Sequence, residues 1–315
     1  MNGVVVKSTG SWYHVRTKSG KLHKCRIRGK FRMEGIKSTN PVSVGDVVDF
    51  DLEPNKETGV IIKIHERSNY IVRKSVNLSK RTHIIASNID MAFLLVTIDN
   101  PPTTTSFIDR FLVSAQAYHI PVTILFNKVD SYGEESKELK DELEEIYTSI
   151  GYECIEISAI KGVKIDKVKQ LMKGKVTLFS GHSGVGKSTL VNAIEPSLNL
   201  KTLELSEQHN QGQHTTTFAE MHSLSFGGYI IDTPGIKGFG IVDFEEDDIS
   251  GYFPEFFKLK GECKYHNCKH LDEPKCAIKE GLEDDRIAAS RYFSYVQIMQ
   301  GEEEHFRQDI YTPKK

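Results

Sequence analysis

The sequence predicts a multidomain chain in three parts. An N-terminal five-stranded β-barrel of the OB-fold kind precedes a central α/β phosphate-loop domain, and a C-terminal Cys/His knuckle with helices follows. Three observations predict this. Short β-rich runs crowd residues 1–72. From 73 to 240, strand-like and helix-like segments alternate around Gly181-His182-Ser183-Gly184-Val185-Gly186-Lys187-Ser188, which fits G-x-x-x-x-G-K-[ST]. Between 241 and 315, Cys263, Cys268, His270 and Cys276 fall within 14 residues.

The barrel strands are expected at Val4–Lys7, Trp12–Arg16, His23–Ile27, Val47–Leu52 and Val60–His65, punctuated by Gly, Asn, Pro and Ser. Five strands in a small basic module suit an OB-fold, a common oligonucleotide binder, although an SH3-like barrel gives a similar string. Residues 1–75 hold 15 Lys and Arg against 7 Asp and Glu, a formal +8. The other 240 hold 26 against 36, a formal −10. That asymmetry fits a polyanionic partner such as RNA, or a solvated basic face. The stretch from Arg28 to Asn40 interleaves Arg and Lys with Phe31, as a loop for phosphate and base-stacking contacts does; an ordinary polar loop reads the same way. No run approaches the roughly 20 apolar residues of a membrane span, and the Met1 start lacks a signal-peptide core. A soluble, cytoplasmic chain is expected, with no membrane partner.

In the central part, Val176–Ser180 reads as a buried strand before the phosphate loop and Ser188–Ile194 as the helix after it. Glycines there let backbone N–H groups face phosphates. Lys187 reaches the β- and γ-phosphates, and the Ser188 hydroxyl ligates Mg²⁺. Upstream, the strand Val122–Phe126 feeds Asn127-Lys128-Val129-Asp130. The Asp130 carboxylate can accept two hydrogen bonds from guanine N–H groups, which adenine does not offer. A further strand from Cys154 ends in Ser158-Ala159, suited to backbone contact with guanine O6. Downstream, Tyr229–Asp232 is a strand whose terminal Asp232 can hold the Mg²⁺ shell, and the Gly235 N–H can sense a γ-phosphate. Together these predict binding of GTP and GDP with Mg²⁺. The base reader precedes the phosphate loop, the reverse of an ordinary guanine-nucleotide switch, so the domain is read as a circularly permuted GTPase. Met91–Val96, Ile108–Tyr118 and Ser136–Ile150 add a buried strand and two helices to a parallel sheet with ligand at its carboxyl ends.

Asn199–Phe218 is polar and lacks hydrophobic periodicity, as a first switch or a plain surface loop does. The pattern does not choose among Thr215, Thr216 and Thr217 as its Mg²⁺ and γ-phosphate partner. Ile236 occupies the place where many GTPases carry a water-orienting Gln, so slow hydrolysis is expected from the chain alone. His214 is the nearest candidate for a catalytic polar group; the alternative is an exposed loop His without a role.

In the last part, three of five cysteines sit with a His in Cys263-x₄-Cys268-x-His270-x₅-Cys276. The set suits one zinc in a zinc-knuckle domain. Four protein ligands leave no position open for water, so the zinc is expected to be structural. Disulfides are the rival reading, and His266 competes with His270. Cys25 and Cys154 read as inert core residues. Glu283–Glu304 reads as one helix whose Arg286, Arg291, Tyr292, Phe293 and Tyr295 either face RNA or pack on the knuckle.

A basic barrel, a permuted GTPase and this ligand spacing closely resemble the ribosome small-subunit-dependent GTPase A (RsgA) family over essentially the whole chain. The resemblance implies a cytoplasmic, monomeric GTPase that binds the 30S subunit and its 16S rRNA late in maturation, with hydrolysis stimulated by the subunit. It implies that Asn127, Lys128 and Asp130 hold guanine, Gly181 through Thr189 the phosphates, and Cys263, Cys268, His270 and Cys276 zinc. The family commonly has Gly-Arg-His-Thr-Thr in the first switch, where this chain has Gln213 before His214. Other readings are an RNA-binding assembly factor using GTP as a structural ligand, or a phosphate-loop kinase.

Overall fold

The barrel forms because its five strands alternate apolar and polar residues, and the pleat sends successive side chains to opposite faces. β1 (Asn2–Ser8), β2 (Tyr13–Thr17), β3 (Leu22–Ile27), β4 (Val47–Leu52) and β5 (Thr58–Ile64) converge on a core of Val5, Tyr13, Val15, Cys25, Val48, Phe50 and Ile61. The order is β1-β2-β3-β5-β4, closed by a β4–β1 pairing, and β3 runs parallel to β5. A parallel pair inside a closed five-stranded barrel is the OB-fold arrangement and not a meander of the SH3 type. Cys25 is fully buried, as expected of an inert core thiol.

The computed structural model describes residues 1–27, 41–54, 56–74, 82–200, 219–232 and 246–301. The basic loop from Arg28 to Asn40, the first-switch stretch with His214, and Gly235 with Ile236 lie outside the described residues.

After the barrel comes an antiparallel ribbon, β6 (Tyr70–Lys74) with β7 (Thr82–Ser87), where the sequence texture suggests only a boundary. Buried Asp46 ties ribbon to barrel. It accepts from Arg67 Nε and Nη2 at 2.6 Å each, from Ser87 Oγ at 2.6 Å and from the Ser43 N–H at 2.9 Å.

The central sheet contains β8 (Met91–Val96), β9 (Val122–Phe126), β10 (Glu153–Glu156), β11 (Val176–Ser180), β12 (Glu220–Ser223) and β13 (Tyr229–Asp232). Its order is β10-β9-β8-β11-β13-β12, parallel except for β12. α1 (Thr105–Ala117) and α2 (Glu134–Ser149) pack in one apolar layer. α3 (Ile165–Met172) and α4 (Lys187–Ile194) pack in a second. Burial on both faces explains the unbroken apolar run of β8, with all six residues buried. β12 also pairs with β1, through Lys7 opposite Glu220, so barrel and central sheet are hydrogen-bonded into one surface.

The C-terminal part packs α5 (Glu246–Ile249), α6 (Pro254–Leu259), α7 (Ala277–Glu283) and α8 (Ala289–Met299). The single helix expected over Glu283–Glu304 is therefore corrected to the end of α7 and a separate α8. The chain turns at Asp285, φ 60°, and the Ile287 N–H donates back to Gly281 O at 2.9 Å. A left-handed residue followed by such a bond ends a helix, and two acidic residues in sequence do not disclose it. Ile287 lies against Gly281, where an added Cβ would meet its Cδ1 at 3.2 Å.

Candidate functional site

The phosphate loop joins β11 to α4, so Lys187 and Ser188 open a helix whose first-turn N–H groups face the loop. Gly186 adopts φ 97°, and a Cβ there would lie 2.5 Å from Asn127 Nδ2. The position needs glycine for its backbone and for the close approach of a side chain from another motif. Lys187 Nζ donates to the carbonyls of Gly181 and, at 2.7 Å, of His182, which folds the ammonium over its own loop. Ser183 and Gly184 are exposed at the mouth, Val185 is buried beneath it, and Ser188 and Thr189 are half-buried.

Asn127 brings three of the sequence motifs together. It follows β9, its N–H held by Val96 O at 2.8 Å. Its Nδ2 donates to Val185 O at 2.8 Å, and its Oδ1 accepts from the Ala159 N–H at 3.1 Å. One buried amide thus spaces the base reader, the phosphate loop and the Ser158-Ala159 turn. Tyr132 backs it, donating to Asn127 O at 2.5 Å and accepting from the Ile98 N–H at 3.1 Å; burial pushes its phenol up to about 12.

Lys128 is left-handed, φ 68°, and donates to Asn100 O at 2.5 Å. Burial lowers its ammonium below the ordinary lysine value, with Asp99 and Asp130 opposing. Val129 and Asp130 lie in the short turn that follows, closed by Ser131 donating to Lys128 O, and the Val129 N–H donates to Ile157 O at 3.3 Å. Asp130 is exposed, in reach of a ligand from solvent. Ser158 is fully buried, and its hydroxyl accepts from the Lys161 N–H at 3.0 Å. Asp232 ends β13, one residue beyond the Leu178–Ile231 pair and opposite Glu220, at the same end of the parallel sheet as the phosphate loop. His214 and Gly235 lie outside the described residues.

Among the described residues, the second constellation is Cys263, Cys268, His270 and Cys276, whose ligand atoms all lie within 4.8 Å of one another. His270 Nδ1 sits 3.6 Å from Cys263 Sγ and 3.4 Å from Cys276 Sγ. An ion about 2.3 Å from sulfur and about 2.0 Å from nitrogen, in tetrahedral geometry, sets such an edge at about 3.5 Å. The donor set therefore fits a metal, and every cysteine in it is free of disulfide. His270, not His266, joins the thiols. Burial pushes Cys268 up to about 12, with neighbouring thiols adding to it, and lowers His270. Two tyrosines of α8 hold the loop: Tyr292 donates to His270 O at 2.8 Å and Tyr295 to Lys269 O at 2.6 Å.

Sequence reading missed what joins the two constellations. Arg291 of α8 is buried, donating to Asp109 of α1 at 2.6 Å and to Glu255 of α6 at 2.7 and 3.2 Å. Burial opposes its charge, but the two carboxylates hold it above the ordinary arginine value. Burial raises Asp109, against the pull of Arg291. The available signal was Asp109 itself, a charge set in the apolar run Phe107-Ile108-Asp109 of a helix, where a partner is obligatory. Arg291 thus packs inward, which decides between the two expectations for it.

A family model described as RsgA GTPase matches residues 64–242, and one described as RsgA N-terminal domain matches residues 2–61. The chain belongs to the RsgA family. It is accordingly a GTP-hydrolysing enzyme whose nucleotide domain has the permuted order. It is 64% identical over 314 residues to the small ribosomal subunit biogenesis GTPase RsgA of Flavobacterium psychrophilum, covering 99% of this chain and 96% of that protein. It is 65% identical over 314 residues to the protein of the same name from Christiangramia forsetii, covering 99% of each. Among solved structures it is similar to YjeQ from Thermotoga maritima, with TM-score 0.77 and 35% identity over 95% of this chain and 97% of that one. It is also similar to YloQ, described as a circularly permuted GTPase, with TM-score 0.73 and 30% identity over 95% and 94%. No helix among the described residues is long and apolar enough to cross a membrane.

Proposed function

We propose that this RsgA-family GTPase binds the small ribosomal subunit in the cytoplasm and hydrolyses GTP there late in the subunit's maturation. The observation that carries the nucleotide part is the placement of Asn127, which spaces the base reader, the phosphate loop and the Ser158-Ala159 turn at the carboxyl ends of parallel strands of one sheet. In this reading Asp130 reads guanine and the loop from Gly181 to Thr189 holds the phosphates. Ser188 holds Mg²⁺ with GTP, and Asp232 supports its shell. When bound, the ion would offset phosphate charge, and Lys187 would add a second positive charge to the phosphates. The subunit partner is supported by relatives named for small ribosomal subunit biogenesis and by the basic barrel, which we assign to 16S rRNA. The Cys₃His cluster is assigned one structural zinc, and the chain is taken to act as a monomer.

Slow hydrolysis by the free chain, and its stimulation by the subunit, are proposed from Ile236 and His214. The test is GTP hydrolysis with and without purified 30S subunits, on wild type and His214→Ala. The subunit should accelerate wild type, and His214→Ala should keep GTP and 30S affinity while losing most of that acceleration. A rate indifferent to the subunit overturns the ribosomal role. Full stimulation of His214→Ala overturns only the role given to His214.

A further inference from the structure

Two adjacent threonines enter α1, and they do different work. Thr104 caps the helix, its hydroxyl accepting from the Phe107 N–H at 3.2 Å. Thr103 points instead at the phosphate loop. Its backbone N–H donates to Thr97 O at 2.9 Å, and its Oγ1 accepts from the Thr97 N–H at 3.0 Å. The same Oγ1 lies 2.7 Å from His182 Nε2. The other ring nitrogen, Nδ1, lies 3.2 Å from Ser183 O, a carbonyl that only accepts. The ring proton is therefore assigned to Nδ1, which makes Nε2 the acceptor and the Thr103 hydroxyl the donor. Phe107, one turn into α1, closes edge-on over the same ring at 5.5 Å between centroids.

His182 in turn offers its carbonyl to Lys187 Nζ at 2.7 Å. Thr103 thus touches, through one residue, the placement of the phosphate-loop lysine. Its own position is firm because α1 is anchored along its length by α8, through Arg291 on Asp109 and through Ser106 Oγ donating to Gln297 Oε1 at 2.5 Å.

We propose that Thr103 is a positioning residue for the nucleotide site, its hydroxyl latching His182 so that the loop holds Lys187 ready for phosphate. The proposal rests on the reading of Gly181–Thr189 as the phosphate site. Without the latch, the ordering of the loop falls on the binding step and affinity drops. Lys187 meets the phosphates in ground state and transition state alike, so the loss belongs in Kd and KM and not in kcat.

The test uses the full chain with a fluorescent GDP titration and steady-state GTP hydrolysis. Thr103→Val keeps the branched shape and removes the hydroxyl; Thr103→Ser keeps the hydroxyl and removes a methyl. We expect Thr103→Val to weaken GDP and raise KM for GTP by about three- to tenfold, the worth of the neutral hydrogen bond to His182, with kcat nearly unchanged, while the lost partner of the Thr97 N–H falls on stability. Thr103→Ser should match wild type. His182→Ala should show the same loss, and combining it with Thr103→Val should add nothing further. Wild-type affinity in Thr103→Val, equal losses in the Val and Ser variants, or additive losses in the double variant each overturn the latch. A wild-type chain that binds no GDP overturns instead the nucleotide reading on which the latch stands.

Discussion

The nucleotide end and the metal end of this protein are both built from loops pinned at several points, but by different means. At the nucleotide end the pins are mostly neutral hydrogen bonds complete within the protein: Asn127 to Val185 and Ala159, Tyr132 to Asn127, Thr103 to His182. At the metal end three thiols and an imidazole converge in a partly dry pocket, where burial disfavours the thiolate of Cys268 and of Cys276. In the proposed reading a cation holds this cluster together, because deprotonated ligands would repel one another until an ion compensates them. The nucleotide site is thus a scaffold that a ligand joins, and the knuckle, in that reading, is a fold element that the proposed zinc would complete.

The largest expected effect follows from that contrast. Chelating the proposed zinc, or replacing Cys276 with Ser, should leave the region beyond residue 246 protease-sensitive while GDP still binds, because a structural zinc contributes folding free energy directly. Limited proteolysis of the chelated chain with and without GDP reads both halves at once. Equal resistance with and without metal would erase the distinction between the two ends.

Arg291 joins the two ends, so it sharpens the comparison next. It carries two carboxylates, Asp109 of the nucleotide domain and Glu255 of the C-terminal part, and stacks 4.6 Å over Phe253. Arg291→Met fills similar space but strands both acids in a dry interface, a change that typically costs about 3–5 kcal/mol. Urea unfolding of the metal-loaded chain should show a loss of that size. A loss below about 1 kcal/mol, the range of an exposed ion pair, would mean that the interface opens to water and couples nothing.

Motif chemistry was legible in the sequence wherever the chemistry is local. Each phosphate-loop, base-reader and ligand-set residue sits within a few positions of its fellows, and the strands Val122–Phe126, Val176–Ser180 and Tyr229–Asp232 stand as the apolar runs indicate. Long-range partners were not legible. Asp109 and Arg291 are 182 residues apart, Thr103 and His182 79 apart, and Lys7 and Glu220 213 apart; no periodicity links such pairs. The break between α7 and α8 also escaped, because the helix ends on a left-handed Asp285 where glycine is the usual signal.

The smallest expected effect tests the scaffold half of the comparison at its most exposed residue. Asp130 sits in the turn Val129–Ser131, held by backbone and Ser131 bonds that do not involve its own carboxylate. Asp130→Asn should therefore leave the fold and the melting temperature in place. Its effect should fall on the ligand. The carboxylate accepts from both guanine N–H groups, whereas the amide accepts from one and meets the other donor to donor. A bidentate base contact discriminates by about 1–3 kcal/mol, and GTP affinity should drop by that amount. Xanthine carries a carbonyl where guanine carries its amino group, so the amide can donate there and affinity for xanthosine triphosphate should rise. Titrating both nucleotides against both proteins measures the exchange. Unchanged GTP binding in Asp130→Asn would remove the base reader from this turn, and a collapse of the fold would show that the nucleotide end is not the self-sufficient scaffold its neutral hydrogen bonds describe.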